Sequence, residues 1–301
     1  MTEILISVVI PAYNYAQTLS RAVESVLAQL GDAPADLLVI DDGSTDATPE
    51  VLNNLLAVHG GSFRALRKTN GGLSTVRNRG IAETTGRYLI FLDADDEMAP
   101  GALATLTEHI ATHPESRLII GAHWSVFADG KRSLQSVKQL PATARQRVHG
   151  YLLDKTVSIS NGACAMHRDV FLPGNYPEHL RNVEDIPVFA QVLARFPCSV
   201  LNQPIALIHK HADSMRHDLA QSLAAGTGMV NEVFSPARMP EEFHDLRQAF
   251  LAQRCLSLFR DCYVGGEYEL ARKFYFHALR ADWRTLKRWS YTRKALRLLF
   301  R

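Results

Sequence analysis

Tyr88-Leu89-Ile90-Phe91-Leu92 runs without a break into Asp93-Ala94-Asp95-Asp96. The apolar run predicts a strand over residues 87–92, with the backbone leaving the sheet where the carboxylates begin. Like charges crowded at one strand end repel and shift each other's pKa unless a cation or a hydrogen-bond donor compensates. Hard oxygen donors of this kind suit Mg²⁺ or Mn²⁺, ions that commonly bridge a protein carboxylate and a substrate diphosphate. Taken alone, the same residues also fit a solvated acidic turn.

The pattern repeats upstream. Residues 4–10 form a continuous apolar run closed by Pro11, residues 37–41 break at Asp42-Gly43-Ser44, and residues 63–67 run into Asn70-Gly71-Gly72. Between the first two, Leu19, Ala22, Val23, Val26, Leu27 and Leu30 recur at helical spacing. Thr48 and Pro49 suit a cap and first-turn proline of a second helix, and a third helical stretch ends near residue 84. Strand–helix alternation predicts an α/β fold with a mostly parallel sheet covered on both faces. Ligands of such sheets sit beyond the C-terminal strand ends, where the polar clusters after strands one, two and four fall. Asp42 at such an end either hydrogen-bonds a base or ribose hydroxyl or serves as an ordinary turn residue. Neither GxxxxGK[ST] nor a GxGxxG after the first strand is present, which argues against ATPase and NAD-dehydrogenase chemistry.

Downstream the pattern loosens. Residues 117–122 and 200–208 read as strands, 128–150 as a polar, basic connection, and everything after about 217 as helix. The division predicted is a catalytic domain over residues 1–216 and a helical region over 217–301. The apolar run at 4–10 is too short for a secretory signal, and no stretch approaches the about 20 apolar residues of a spanning helix. A cytoplasmic location is therefore expected. Cys164, Cys198, Cys255 and Cys262 form no CxxC pair and read as thiols of a reducing compartment. A formal net charge of only +2, with no reading motif, gives no expectation of a nucleic-acid partner.

Four ordered segments together resemble family 2 glycosyltransferases, which have the GT-A fold. They are Val9-Ile10-Pro11-Ala12-Tyr13-Asn14; Val39-Ile40-Asp41-Asp42-Gly43-Ser44-Thr45-Asp46; Asn70-Gly71-Gly72 with Arg77-Asn78-Arg79-Gly80; and residues 88–96. The resemblance implies sugar transfer from a nucleoside-diphosphate sugar, a UDP-sugar by preference, to an acceptor hydroxyl with inversion. It implies that Pro11, Ala12 and Tyr13 border the nucleotide, Asp42 contacts the base, and Arg77 lies near the base or diphosphate. Asp93 then faces the ribose and sugar with Ala94 beside it, Asp95 binds Mg²⁺ or Mn²⁺, and Asp96 stands behind them.

Asn182-Val183-Glu184-Asp185-Ile186 resembles the family's Glu-Asp motif, just before a helical run at 188–194 whose N-terminus favours negative charge. It implies Asp185 as base and Glu184 as an acceptor contact; out of that context the pair would read as helix caps. Asn161-Gly162-Ala163-Cys164 falls where the family has an acceptor-facing loop. His211-Ala212-Asp213-Ser214 resembles its His-x-x-Ser segment, which implies His211 as a metal or diphosphate contact, although Lys210 alters the usual pattern. His209 and His217 read as structural. A sugar nucleotidyltransferase and a noncatalytic nucleotide- or glycan-binding module are the rival readings; the first lacks a glycine-rich basic loop near residues 11–15, and the second leaves Asp93, Asp95 and Asp185 without a task.

Residues 283–301 carry seven Lys/Arg and no acid, interleaved with Trp283 and Trp289. Such a segment either lies in an anionic membrane interface, on the inner face of the cell membrane and near a lipid-linked or glycan acceptor, or packs its Leu/Trp face on the protein and solvates its charges.

Overall fold

The computed structural model describes residues 3–31, 33–210 and 219–299, and the chain divides into two compact units. The first takes residues 1–140, 158–178 and 196–214; the second takes 141–157, 179–195 and 215–301. The helical unit thus draws two segments from within the first 216 residues.

The first unit holds one sheet, with nine strands among the described residues. They are β1 (Ile6–Ala12), β2 (Ala35–Asp41), β3 (Arg64–Arg67), β4 (Tyr88–Phe91), β5 (Glu97–Met98), β6 (Leu118–Val126), β7 (Arg132–Gln135), β8 (Cys164–His167) and β9 (Cys198–His209). Their order is β3-β2-β1-β4-β8-β6-β9-β5, with β7 paired to β6. The β3-β2-β1-β4 half is parallel throughout, as is β6–β9, so most paired residues lie in parallel ladders. Strand β8 runs antiparallel to β4 and β6 and joins the halves.

Every residue of β1 and β4 is buried, as suits apolar central strands; the one polar residue, Ser7 of β1, donates its hydroxyl to Asp36 Oδ1 at 2.6 Å. Pro11 was expected to end β1, yet the strand continues to Ala12. Leu92 N donates to Val9 O while Asp42 N donates to Ala12 O, so alternate residues of β1 face β4 and β2. Pro11 faces the β4 side, where β4 has already ended at Phe91, and its missing N–H costs no ladder bond.

Helices α1 (Leu19–Leu30), α2 (Thr48–His59), α3 (Leu73–Glu83) and α4 (Ala102–Thr112) follow β1, β2, β3 and β5. Leu19, Ala22, Val23 and Val26 bury the predicted face of α1. At α2 the cap differs from expectation. Ala47, not Thr48, is the N-cap and makes no side-chain cap bond; Asp46 before it accepts from Thr48 N at 2.9 Å, while Thr48 Oγ1 accepts from Tyr15 N at 2.8 Å. Burial pushes the Asp46 carboxyl up, but hydrogen bonds from Thr48 and Ala16 outweigh it and hold the group below its ordinary value.

The second unit contains α5 (Ala144–His149), α6 (Asp185–Arg195), α7 (Leu219–Ala225), α8 (Gly228–Val233), α9 (Arg247–Val264), α10 (Tyr268–Ala281) and α11 (Trp289–Leu299). Residues 128–150, expected to be a connection, contain β7 and α5. A capping box starts α5, with Gln146 N donating to Thr143 Oγ1 and Thr143 N to Gln146 Oε1. A core of Ala252, Cys255, Leu256, Phe259, Ala271, Tyr275, Ala295 and Leu298 unites α9, α10 and α11.

Candidate active site

The loops after β1, β2 and β3 are knitted together by side chains at the strand ends. Asn14, at φ 61°, accepts Thr45 N on its Oδ1 at 2.8 Å and donates its own backbone N–H to Ser44 Oγ at 2.9 Å. Ser44 N in turn donates to Asp41 Oδ1 at 2.9 Å, and Arg67 Nε stands 3.1 Å from Asp41 Oδ2. Gly43 has φ +73°, and a Cβ there would meet Asn70 N at 2.9 Å, so both its conformation and its space require glycine.

Asp42 is buried, and its carboxylate closes the Asn70-Gly71-Gly72 loop. Oδ1 accepts from Lys68 Nζ at 2.5 Å and Gly71 N at 3.0 Å, and Oδ2 accepts from Gly72 N at 2.8 Å. Any contact of Asp42 with a base therefore comes in addition to this clamp. Pro11 and Ala12 are buried at the β1 terminus, and Tyr13 stands out at 44% exposure.

Beyond β4, Asp93 to Asp96 form a turn closed by Asp96 N donating to Asp93 O at 3.0 Å. Ala94 is packed in the core. Arg77, on α3 and only 3% exposed, places Nη2 3.6 Å from Asp93 Oδ1. Its guanidinium lies 5.2 Å from the centroid of the Tyr176 ring, whose hydroxyl donates to Asn161 Oδ1 at 2.8 Å. Asn78 fixes this wall from the next position of α3: Nδ2 donates to Tyr176 O at 2.9 Å, and Oδ1 accepts Tyr176 N at 3.0 Å. A cation and a carboxylate thus meet at the open end of the sheet on buried supports.

Asp96 is buried and accepts His209 N on Oδ1 at 2.8 Å. Burial, then the charges of Asp93 and Asp95, push its carboxyl up to about 8 from an ordinary 3.8. The same three aspartates, after burial, raise the nearby Tyr15 phenol. Behind them, Arg21 Nη2 donates to Asp95 O at 2.7 Å, its Nε stands 3.3 Å from Glu97 Oε1, and His209 Nε2 lies 2.7 Å from the same oxygen.

The raised Asp96 has a sign that can be measured. The folded chain keeps a proton that the unfolded chain releases, so this contribution to stability is full below about pH 4 and is lost as pH rises towards about 8. In EDTA, the melting temperature of the wild type should fall across that window relative to Asp96→Asn, which stays neutral. Parallel curves for the two proteins would place the pH dependence elsewhere.

The charges of Asp93 and Asp95, which add to burial in keeping a proton on Asp96, are also what a divalent cation neutralises, so the pair fits Mg²⁺ or Mn²⁺ in charge and donor type. Among the described residues no three or more His, Cys, Asp or Glu side chains are grouped to hold a metal. An ion here would need diphosphate oxygens and water to complete its shell, as Mg²⁺ in phosphate-handling sites commonly does. His211 and His217 lie outside the described residues. Glu184 and Asp185 belong to the second unit, Glu184 buried and Asp185 the first residue of α6.

Asn161–Ala163 forms a buried single turn leading into β8. Cys164 is buried with its Sγ 3.6 Å from Asn161 O, and none of the four cysteines is in a disulfide. Sequence reasoning missed Lys68, Tyr176 and the His209–Asp96 contact, because each depends on a partner from a distant strand or loop. Asn78 was within the quoted Arg-Asn-Arg-Gly segment, but nothing local tied it to Tyr176.

Residues 7–172, more than half of the chain, match the family described as Glycosyl transferase family 2. The chain belongs to that family. An uncharacterized glycosyltransferase, alr2836 from Nostoc sp., is 39% identical over 107 residues, 36% of this chain and 33% of its own length. The uncharacterized glycosyltransferase YibD of Escherichia coli is 40% identical over 101 residues, 34% of this chain and 29% of its own length. The match with this family 2 chain thus spans about a third of each relative. Among solved structures, S. aureus TarS 1-349 in complex with UDP-GlcNAc superimposes with a TM-score of 0.69 at 17% identity, covering 98% of this chain and 89% of that one. The mannosyltransferase PcManGT from Pyrobaculum calidifontis, in complex with GDP-Man and Mn²⁺, gives 0.55 at 15% identity, covering 97% and 85%. Identities this low speak to the fold alone, and the fold of this family 2 chain is GT-A-like: a mixed α/β sheet with flanking helices and C-terminal helices.

Proposed function

We propose that this family 2 chain transfers a sugar from a nucleoside-diphosphate donor, a UDP-sugar by preference, to a hydroxyl of a glycan or lipid-linked acceptor. The observation that carries this reading is the Asp93–Asp95–Asp96 cluster beside the buried Arg77 at the sheet's open end. A diphosphate needs cationic donors, and Arg77, 5.2 Å from the Tyr176 ring centroid and 3.6 Å from Asp93, brings a guanidinium to this end of the sheet. The nucleotide-sugar complexes of TarS and PcManGT support the donor class, and the Mn²⁺ of the latter supports a metal.

In the proposed reaction Pro11, Ala12 and Tyr13 border the nucleoside, and Asp42, through the loop it clamps, sets the position of Asn70-Gly71-Gly72 against it. Asp93 and the backbone at Ala94 orient the ribose and sugar. Asp185 removes the acceptor hydroxyl proton as that oxygen attacks the anomeric carbon, with Glu184 holding the acceptor. The bond from the anomeric carbon to the diphosphate oxygen breaks, and the electron pair leaves with the nucleoside diphosphate. A single displacement inverts the anomeric configuration. A divalent ion bound by Asp95, with His211 as a further contact, would neutralise charge developing on the leaving diphosphate.

Calorimetric binding of UDP, GDP, dTDP, CDP and ADP, each with Mn²⁺ and with EDTA, tests the donor class. Metal-dependent preference for UDP is expected. Failure of every nucleotide to bind folded protein would overturn the reading in favour of a noncatalytic module.

A further inference from the structure

The basic C-terminal segment could pack its aromatic face inward or present it outward, and the described residues of the second unit distinguish these two arrangements. Helix α11 buries Thr292, Ala295 and Leu298 against α9 and α10, and Tyr275 donates its hydroxyl to Thr292 Oγ1 at 2.7 Å. The tryptophans are not on that face. Trp289 is 65% exposed and Leu296 45% exposed, and with Arg293 and Arg297 they occupy positions i, i+7, i+4 and i+8 of one helical stripe. The turn before it, Trp283–Lys287, repeats the composition: Trp283 is 66% exposed, Leu286 is 51% exposed, and Lys287 Nζ lies 5.8 Å from the Trp283 ring centroid.

Burying two tryptophans would remove more apolar area than burying Thr292 and Ala295, yet the fold leaves the larger side chains in water. Their neighbours Arg284, Lys287, Arg288, Arg293 and Arg297 are cations, and the acid that immediately precedes the segment, Asp282, accepts from Arg284 N and stands 3.6 Å from Arg284 Nε. Among the described residues Lys287, Arg293 and Arg297 enter no ion pair. Exposed aromatics and leucines ringed by unneutralised cations are what a helix lying in an anionic lipid interface requires: the rings enter the headgroup–acyl boundary and the cations meet lipid phosphates. A protein partner would need a matching acidic surface with pockets for both rings, whereas a bilayer supplies charge and apolar depth together.

We propose that Trp283, Leu286, Trp289 and Leu296, with Lys287, Arg293 and Arg297, form a peripheral docking face for an anionic bilayer. No helix among the described residues is long and apolar enough to cross a membrane, so this contact is interfacial. It is independent of donor binding and of transfer, and its success or failure leaves the catalytic reading untouched.

The test is co-sedimentation of the full chain with phosphatidylcholine vesicles, with and without phosphatidylglycerol, alongside tryptophan fluorescence. Binding to the anionic vesicles alone, weakened by salt and accompanied by a blue shift, is expected. Each of Lys287→Gln, Arg293→Gln and Arg297→Gln should weaken binding on the order of fivefold. The Trp283→Ser, Trp289→Ser pair should abolish the blue shift, while Lys138→Gln, on an exposed residue of the other unit, should change nothing. Absence of binding to either vesicle, or binding indifferent to these substitutions in folded protein, would overturn the proposal. A dimer that Trp289→Ser dissociates, without vesicle binding, would overturn it too and assign the face to a second copy.

Discussion

Asp185→Asn should leave nucleotide binding intact and slow sugar transfer by about 10²–10⁴-fold, the range for removal of a positioned general base. The substitution is nearly isosteric and sits at the first position of α6, so the helix has little reason to change. Its charge does change. An amide cannot take the acceptor proton, and the first-turn position where a carboxylate is favoured by the helix dipole is left neutral. Lys155, whose ammonium is disfavoured first by burial and then by Arg254 and Arg288, is favoured by Asp185, so the variant should also lower the Lys155 pKa further. Initial rates at saturating donor, together with calorimetric nucleotide binding, check the effect. Near-normal turnover in a variant that binds nucleotide would remove Asp185 from the role of base.

Asp95→Ala should act on the other half of the reaction. If Asp95 holds the divalent ion, the variant should lose the difference between Mn²⁺ and EDTA in nucleotide affinity, and turnover should fall as well. Metal neutralisation of a leaving diphosphate is worth several kcal/mol, and about 1.4 kcal/mol corresponds to a factor of ten in rate. Removing one of the charges that hold a proton on Asp96 should lower the Asp96 pKa, so the pH dependence of stability in EDTA should flatten. A purely structural role for Asp95 would reduce stability without altering the metal dependence of binding. Nucleotide titrations with Mn²⁺ and with EDTA therefore separate the two roles, and unchanged metal dependence would reassign the ion.

These predictions rest on residues that differ in how visible they are to local reading. The acidic turn was legible because an apolar run and the carboxylates after it are contiguous, and burial of Tyr88–Phe91 follows directly from composition. Asp42 was legible as a strand-end residue, but its clamp was not. Lys68 and Gly71 lie 26 and 29 positions away, and whether they reach Asp42 depends on β3 pairing beside β2. Arg77 stood out by its motif, whereas the Tyr176 ring that backs it lies about a hundred residues further along the chain.

The amino-acid pattern by itself determined the alternating strands and helices of the first 92 residues, β1 to β4 with α1 to α3, because their signals repeat within one turn or one pleat. It also determined where polar clusters punctuate them. Tertiary structure alone decided the short strands β5 and β8, whose two and four residues carry too little periodicity and are defined by pairing with β9, β4 and β6. It decided that residues 141–157 and 179–195 join the helical unit, since the segments' own composition does not say which core they will enter. It also decided which face of α11 is buried. Helical spacing offers Trp289–Leu296 and Ala295–Leu298 as two candidate stripes, and only the shape of the surface made by α9 and α10 selects the smaller side chains for the interior.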